Sequence, residues 1–409
     1  EGALDEVTNM LLRMRELSVQ AVNDTNFGTD RIYLNEEINQ LKNEISRISA
    51  NTRFNGEPVL DGSLTSKVFQ LGTEGGETVS FAVDSVSSSA LGAFTYTGTT
   101  KEAAAAAATV TANTNTTAED VSVHGHTVSK DFAASAAQSG KSLAAAINVE
   151  TGATGVKATA QTYAKLLSTA ASATYSITLN GTSTGNFAIG STSVGDAVTK
   201  INQISGTTGV TAAASSDGSF VTLHHAQGED ITIINDSAGT DLDVVAVGYD
   251  GKTAGATVIS LAATAGNDST SVQGNVQLSS SKTFSVTQSG TAALGYFVTG
   301  SGSLSTISNV DVKSQAAATA AISTIDGAME KISSVRAELG ALTNRLEYTV
   351  DNLTNIATNT QAAISRIVDA DFAAETAKLT KAQILQQAGT AMLAQANQSK
   401  QSVLALLGQ

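Results

Sequence analysis

The feature that most constrains this chain is a heptad pattern that extends from Gln315 to Val368, for about seven heptads. Apolar residues recur there in steps of three and four, which predicts one long helix with a narrow apolar seam. The seam residues are Ile322, Ile325, Met329, Ile332, Leu339, Leu342, Leu346, Val350, Leu353, Ile356, Ile364 and Ile367. Such a helix would be roughly 80 Å long, so other long helices have to cover its seam.

Two stretches near the beginning of the chain have the same rhythm. In residues 1–22 the apolar positions are Leu4, Val7, Leu11, Met14, Leu17 and Ala21. In residues 31–50 they are Ile32, Leu34, Ile38, Leu41, Ile45 and Ile48. We therefore predict an elongated antiparallel coiled-coil or helical-bundle rod in which these two helices cover the helix from Gln315 to Val368.

Residues 51–92 change to the alternating pattern that is typical of strands. Lys67–Leu71 and Thr78–Val83 alternate apolar with polar residues around a glycine-rich turn, which predicts a β-hairpin. We expect this hairpin to pack on the helices, because an isolated hairpin is only marginally stable in water.

Residues 93–311 lack heptads and contain short Thr- and Val-rich segments separated by Gly, Asn and Ser. A repeat of 54 residues lies within them, since the segment 121–160 matches the segment 175–214. Each copy is predicted as a strand, a short amphipathic helix and a strand, and the second copy continues into two further strands. The fold class is therefore α+β and multidomain, with one or two strand-rich domains inserted at 93–311.

The pattern is interrupted at Asp369–Phe372 and resumes in Thr376–Leu407 as a helix rich in Ala and Gln. We interpret Asp369 and Asp371 as helix-breaking and capping residues rather than as an acid–base pair. The apolar surface of this last helix is broad, and no further long helix is left to cover it, so we predict a partner outside the chain. The residues expected to carry that contact are Ile384, Leu385, Leu393, Val403, Leu404 and Leu407.

Composition and motifs argue against several classes of protein. The chain has no Cys, which excludes disulfides and thiolate metal sites, and its net charge of -14 argues against a nucleic-acid partner. No stretch approaches the roughly 20 apolar residues of a membrane span. A phosphate-binding loop and a nucleophile elbow are both missing from the sequence, so we predict neither an enzyme nor a cofactor.

The four histidines, His124, His126, His224 and His225, all lie in the insertion. A His-x-His pair on a strand presents both side chains on one face, a spacing that suits a metal ion. We favour solvent-exposed polar residues over a metal site at all four positions. The His-Glu-x-x-His spacing of a zinc protease is missing around His224 and His225, so the protease interpretation fails.

Both ends of the sequence closely resemble bacterial flagellin, over about residues 1–92 and 312–409. The N-terminal likeness rests on Leu-Arg-Met-Arg-Glu-Leu-Ser-Val-Gln from Leu12 and Arg-Phe-Asn-Gly from Arg53. The C-terminal likeness rests on segments that begin at Leu339, Ser365, Lys381 and Val403. The central region matches only loosely, through a repeat similar to ones in the variable part of some flagellins.

The resemblance implies a structural filament subunit that self-assembles for motility. Residues 1–92 with 312–368 would form the rod, 93–311 the variable domain, and 369–409 half of an inner core whose other half would precede Glu1. It also implies secretion by the flagellar export apparatus into the extracellular flagellum, with an export chaperone bound to the C-terminal helix. The alternative is a cell-surface homologue whose inserted domain is an adhesin or glycan-binding module, and an enzyme is a third interpretation.

Arg13, Leu17 and Glu37 match positions that, in many flagellins, contact neighbouring subunits and a host innate-immune receptor. Arg13 and Leu17 are four residues apart, which places them on one face of a helix. We interpret the three residues as subunit contacts first and as receptor contacts second. Leu17 also continues the apolar seam of its helix.

Overall fold

The computed structural model describes residues 1–409 except 24, 25, 27, 73–75, 110–119, 134–137, 171, 191–192, 238, 264–265, 290–295, 370 and 408–409, and the side chains of 404–407. The helices are α1 (Gly2–Val22), α2 (Gly28–Asn51), α3 (Gly140–Val149), α4 (Thr151–Thr154), α5 (Gly195–Gln203), α6 (Ser205–Thr208), α7 (Gln315–Val368) and α8 (Phe372–Leu407). The first ten strands are β1 (Arg53–Phe54), β2 (Glu57–Pro58), β3 (Lys67–Gln70), β4 (Thr78–Phe81), β5 (Gly92–Thr97), β6 (Val121–His124), β7 (Ser129–Phe132), β8 (Lys157–Ser168), β9 (Ser172–Leu179) and β10 (Thr182–Gly190). The others are β11 (Val210–Ala214), β12 (Phe220–His225), β13 (Ile231–Asn235), β14 (Leu242–Val247), β15 (Ala254–Leu261), β16 (Ser269–Val272), β17 (Asn275–Ser280), β18 (Ser285–Gln288), β19 (Gly300–Ser301) and β20 (Ser303–Thr306).

Long helices at both ends and a strand-rich middle confirm the predicted α+β class. The chain divides into two units, the first comprising Glu1–Val68 with Ser80–Glu338 and the second Phe69–Val79 with Leu339–Gln409. The division into 1–92 with 312–368, 93–311 and 369–409 stays a prediction. Among the helices that the structure describes, none is both long and apolar enough to cross a membrane.

In the first unit, α1 packs antiparallel to the beginning of α7. Arg15 Nε lies 2.8 Å from Asp326 Oδ1, and Arg336 Nη1 lies 2.7 Å from Asp5 Oδ1. The predicted seam of α1 is completely buried, and its residues are Leu4, Val7, Leu11, Met14, Leu17 and Ala21. The heptad pattern therefore predicted the contacting face of α1 correctly.

The prediction that α1 and α2 cover the whole seam of α7 is wrong. Val335 is the last buried residue of α7, and Val350, Ile356 and Ile367 are 60%, 49% and 84% exposed. The reason is length, because α1 has 21 residues and α7 has 54. Antiparallel helices rise equally per residue, so a helix covers only its own length of a partner.

The hairpin predicted between α2 and β5 is confirmed, and its turn residues 73–75 lie outside the described residues. β3 pairs with β4, and both strands lie within the predicted segments. β1 and β2 form a second small hairpin whose turn residues Asn55 and Gly56 have φ of 50° and 85°. Positive φ at both central positions is the geometry of the turns that close two-residue hairpins. The expected packing of the β3–β4 hairpin on the helices stays a prediction.

The described residues of the insertion form three sheets. The largest has the strand order β11-β12-β8-β17-β5-β20, and β14 pairs with β8 and with β15 beside that path. The two four-stranded sheets have the orders β10-β9-β13-β16 and β19-β18-β6-β7. Two apolar clusters fill the space between sheets and helices: one includes Ile201 of α5 and the other Ile147 of α3. The 12-residue strand β8 contributes to both clusters.

Candidate assembly surface

The last helix begins at a built N-cap, as the sequence predicted. Asp371 Oδ1 accepts hydrogen bonds from the backbone N–H groups of Ala373 (3.0 Å) and Ala374 (3.2 Å). These amides have no partner inside the helix, and a carboxylate at this position also interacts favourably with the positive end of the helix dipole. The cap starts α8 at Phe372, four residues before the predicted Thr376.

Every side chain of α8 that the structure describes is exposed. The predicted contact residues Ile384, Leu385, Leu393 and Val403 are 59%, 63%, 65% and 56% exposed. Leu404 and Leu407, the two other predicted residues, lie outside the described side chains. An apolar helix surface of this size is unusual for a chain that remains alone in water.

The apolar residues of α8 are spread over more than one side of the helix. A residue advances by about 100° around a helix axis, so Ile384, Leu385 and Leu393 together span roughly half of the circumference. Gln387 and Gln398 lie on the opposite, polar side. A helix with so broad an apolar arc needs more than one neighbour to bury it.

The part of α7 that belongs to the second unit has the same character. Val350, Ile356, Ile364, Ile367 and Val368 are each at least 49% exposed. Val350, Ile356, Ile364 and Ile367 continue the heptad seam that the first part of α7 buries. The exposed surface of the second unit thus includes a coiled-coil seam on α7 and a broad apolar arc on α8.

Arg13 and Glu37 are brought together across the α1–α2 pair. Arg13 Nε donates to Glu37 Oε1 at 2.8 Å, and Arg13 Nη1 lies 3.1 Å from Glu16 Oε2. The hydrogen bond to Glu37, and then the one to Glu16, raise the pKa of the Arg13 guanidinium above its ordinary value. The Arg13 and Glu37 side chains are about half exposed, at 51% and 43%, so another molecule can reach the pair.

Leu17 is 1% exposed, as its place in the seam of α1 predicted, and it faces the core of the first unit, while its role as a contact residue stays a prediction. The spacing of four residues leaves Arg13 at the edge of the buried face and Leu17 inside it. Sequence reasoning missed the apolar residues that α1 and α2 do expose, which are Leu12, Val19, Ile32 and Tyr33, at 46%, 44%, 49% and 73%. The sequence did contain a signal for the exposed residues of α1. Leu12 and Val19 are seven residues apart, which places them on one helix face, and neither belongs to the seam.

The His124 and His126 pair is split by the end of a strand. His124 is the last residue of β6, and its ring nitrogens lie 2.9 Å from Ser129 Oγ and 2.9 Å from Thr287 Oγ1. His126 follows in an exposed bend. Within the described parts of the chain, no three His, Cys, Asp or Glu side chains are grouped as metal ligands.

The interpretation of His224 and His225 as solvent-exposed residues is wrong, since they are only 7% and 9% exposed. The His224 ring stacks on Tyr163 with ring centres 4.3 Å apart, and its Nε2 has no hydrogen-bond partner. Burial, and then the charge of His225, lower the pKa of His224 to about 4. Burial also lowers the pKa of His225, against the opposing charge of Glu229. Both rings are therefore neutral at pH 7 and pack as part of the sheet.

Comparison with known proteins agrees with the likeness at the two ends. Residues 1–65 match the family described as the bacterial flagellin N-terminal helical region, and residues 322–407 match the bacterial flagellin C-terminal helical region. The B-type flagellin of Pseudomonas aeruginosa is 36% identical over 411 residues, which cover all of this chain and 84% of that protein. A flagellin of Salmonella choleraesuis is 32% identical over 428 residues, with the same two coverages of 100% and 84%. Among solved structures, FliC from Burkholderia pseudomallei aligns over 84% of this chain and 96% of its own, at 18% identity and a TM-score of 0.33.

Proposed function

This chain belongs to the bacterial flagellin family, and from that premise we propose that its exposed helix surfaces are its assembly interface. It is a structural subunit of the extracellular flagellar filament, which forms by self-polymerisation and serves motility. The observation that carries the proposal is the exposure of every α8 side chain that the structure describes, so that none of these described apolar residues belongs to a core of the chain. Neighbouring copies would bury them.

The physical driving force is hydrophobic. Fully burying a Leu or Ile side chain contributes about 1.5–3 kcal/mol. Fixing one subunit on a filament end costs about 4–15 kcal/mol, so several such residues have to be buried together to offset it. Ile384, Leu385 and Leu393 supply contacts in several directions, and Ile356 and Ile367 of α7 add to them. A surface with several directions of contact suits a lattice in which each copy has several neighbours.

We also propose an export chaperone as a second partner of α8. Before assembly, the same apolar arc would be exposed inside the cell, where it favours aggregation. A chaperone that covers Leu385 and Leu393 until the chain is secreted by the flagellar export apparatus would prevent this. The proposal is supported by the exposure of these residues and by the family membership.

For the first unit, we propose that Arg13 and Glu37 form a polar contact to a neighbouring subunit. Their half-exposed pair offers one guanidinium edge and one carboxylate to a partner. Leu17 is buried, so it would act only indirectly, by holding α1 against the rest of the first unit. We propose a host innate-immune receptor only as a second partner of the same residues.

The family is structural rather than enzymatic, and the adhesin alternative has no support from the comparisons.

Addition of the purified chain to sheared filament seeds tests the assembly proposal, with filament length measured by electron microscopy. Leu393→Asp places a charge at the interface and is expected to abolish growth, whereas Gln387→Asp on the polar side is expected to retain it. Both variants should keep the helix content of the parent chain in circular dichroism. Equal growth of Leu393→Asp and Gln387→Asp would contradict the proposal.

A further inference from the structure

The two copies of the 54-residue repeat share an unusual hydrogen-bond device. In the first copy, the Asn148 amide at the end of α3 donates to Ala158 O and accepts from Ala158 N, both at 2.8 Å. In the second copy, Asn202 at the end of α5 makes the same two bonds to Ala212, at 3.0 and 2.8 Å. Each asparagine thus fixes the strand that follows its helix in the same register.

The chain also leaves the helices in the same way in both copies. Gly155 and Gly209 both have a φ of 70°, and each donates its backbone N–H over 2.8 Å to the residue four positions earlier. A left-handed residue after a helix end is a position where glycine is strongly preferred. Ile147 and Ile201, which are also 54 residues apart, are both completely buried but belong to different apolar clusters.

The two copies also resemble each other in their strand pairing, beyond the residues that match in sequence. In the second copy, β11 pairs with the following strand β12, so that Ala212 lies opposite Leu223. In the first copy, the beginning of β8 pairs with β17, and Ala158 lies opposite Leu278. Leu223 and Leu278 are both completely buried. The strand β17 therefore occupies the place of β12, although it follows the second copy in the chain.

The next strands agree with this assignment. β13 follows β12 and pairs antiparallel with β9, the first strand of the second copy. β18 follows β17 and pairs antiparallel with β6, the first strand of the first copy. In both copies, the strand after the hairpin therefore pairs with the first strand of the same copy. The first copy is thus complete only when β17 and β18 are included.

From this geometry we propose that the insertion holds one module twice, with one copy nested inside a hairpin of the other. The outer copy consists of residues 121–160 and 275–288. The inner copy begins at β9 and lies within residues 161–274, between Ala160 of β8 and Asn275 of β17. The outer copy is then a module that folds without the inner one.

The inner copy shows what the uninterrupted hairpin looks like. The turn Ser215–Ser219 joins β11 to β12, and Asp217 Oδ1 accepts from Ser215 Oγ (2.7 Å) and Ser219 N (3.1 Å). Gly218 in this turn has a φ of 70°, and Ser215 N bonds Phe220 O at 3.0 Å. These bonds close within the hairpin, so the turn can be transferred as a unit. By strand pairing, Ala214 corresponds to Ala160 and Phe220 to Asn275.

Several contacts between the two copies are polar. Tyr249 OH lies 2.7 Å from Thr159 Oγ1, and Lys141 Nζ lies 3.2 Å from Glu229 Oε1. The Lys141–Glu229 pair is about half exposed, so its loss has little energetic effect. The apolar clusters of Ile147 and Ile201 are separate, which permits one to persist without the other.

The test is a full chain in which residues 161–274 are replaced by the five-residue turn Ser-Ser-Asp-Gly-Ser. Amide hydrogen exchange in β6, β17 and β18 is expected to stay within roughly tenfold of the parent chain. The matched control adds Leu278→Asp to the shortened chain and is expected to lose this protection. Unprotected β6 and β18 in the shortened chain without that substitution would overturn the proposal.

A second variant tests the proposal without the five-residue turn that replaces residues 161–274. Leu223→Asp in the otherwise unchanged chain places a charge in the inner cluster. It is expected to remove the protection of β9 and β13 and to leave that of β6 and β18 in place. Loss of protection in both copies together would show a single cooperative domain and would overturn the nested-module proposal.

Discussion

Gly327 in α7 lies directly against Ala93 at the beginning of β5. A Cβ atom at position 327 would stand 2.5 Å from the Ala93 Cβ and 3.0 Å from its Cα. Glycine is otherwise a poor helix residue, so its place in the interior of α7 has a packing reason. The close approach lets α7 touch the edge of the largest sheet, where β5 pairs with β20.

Replacing this glycine is therefore expected to destabilise the contact. Gly327→Ala gains about 1 kcal/mol of helix propensity but introduces overpacking that costs about 1–3 kcal/mol. Gly340→Ala is the matched control, because a Cβ at position 340 meets nothing within 4 Å and should stabilise α7 by up to about 1 kcal/mol. Hydrogen exchange around each position measures both effects. An equal gain at the two positions would contradict the close contact.

His224 is expected to make the insertion sensitive to acid. Its pKa is about 4 in the folded chain, against an ordinary value of 6.5, so the unfolded chain binds a proton over a range in which the folded chain does not. Stability then falls as pH decreases from about 6.5 to about 4, by at most about 3 kcal/mol. His224→Phe keeps the stacking on Tyr163 and should flatten this slope in urea unfolding.

The histidines also show where sequence reasoning stops. A His-His dipeptide is typical of a polar surface. The neighbouring residues in the sequence do not indicate that the end of β12 is buried. Tyr163 stacks on His224 because β8 pairs with β12, a contact between residues more than 50 positions apart. Local pattern fixes the period of a segment but not which of its faces another strand will cover.

The same limit explains why sequence reasoning found only part of the repeat. Residues 121–160 and 175–214 each form a continuous match, so comparison of the sequence with itself finds them. β17 and β18 lie far downstream, and they have Ser279 and Ser280 where β12 has His224 and His225. Only strand pairing reveals the correspondence. The helix patterns, by contrast, are local, which is why the bounds of α1, α2, α7 and α8 were predicted within a few residues.

Ile147 and Ile201 provide a matched pair for measuring the two clusters separately. Each is completely buried at the same position of its copy, so each Ile→Ala change is expected to cost about 2–5 kcal/mol. Ile147→Ala should lower the protection of β6 and β18, and Ile201→Ala that of β9 and β13, in hydrogen exchange. Effects of both substitutions on the same set of amides would contradict separate cores.

The N-cap of α8 gives a prediction about the assembly helix itself. Asp371→Ala leaves the backbone amides of Ala373 and Ala374 without their acceptor and is expected to destabilise the first turn of α8 by about 1 kcal/mol. Asp371→Asn retains a side-chain oxygen that accepts the same hydrogen bonds, so it should behave nearly as the parent chain. Fraying of Phe372 and Glu375, followed by hydrogen exchange, measures the difference. If filament growth from seeds requires an ordered α8, Asp371→Ala should also slow growth at unchanged chain concentration, and Asp371→Asn should not. Identical exchange in the parent chain and in Asp371→Ala would mean that the carboxylate does not hold the beginning of this helix.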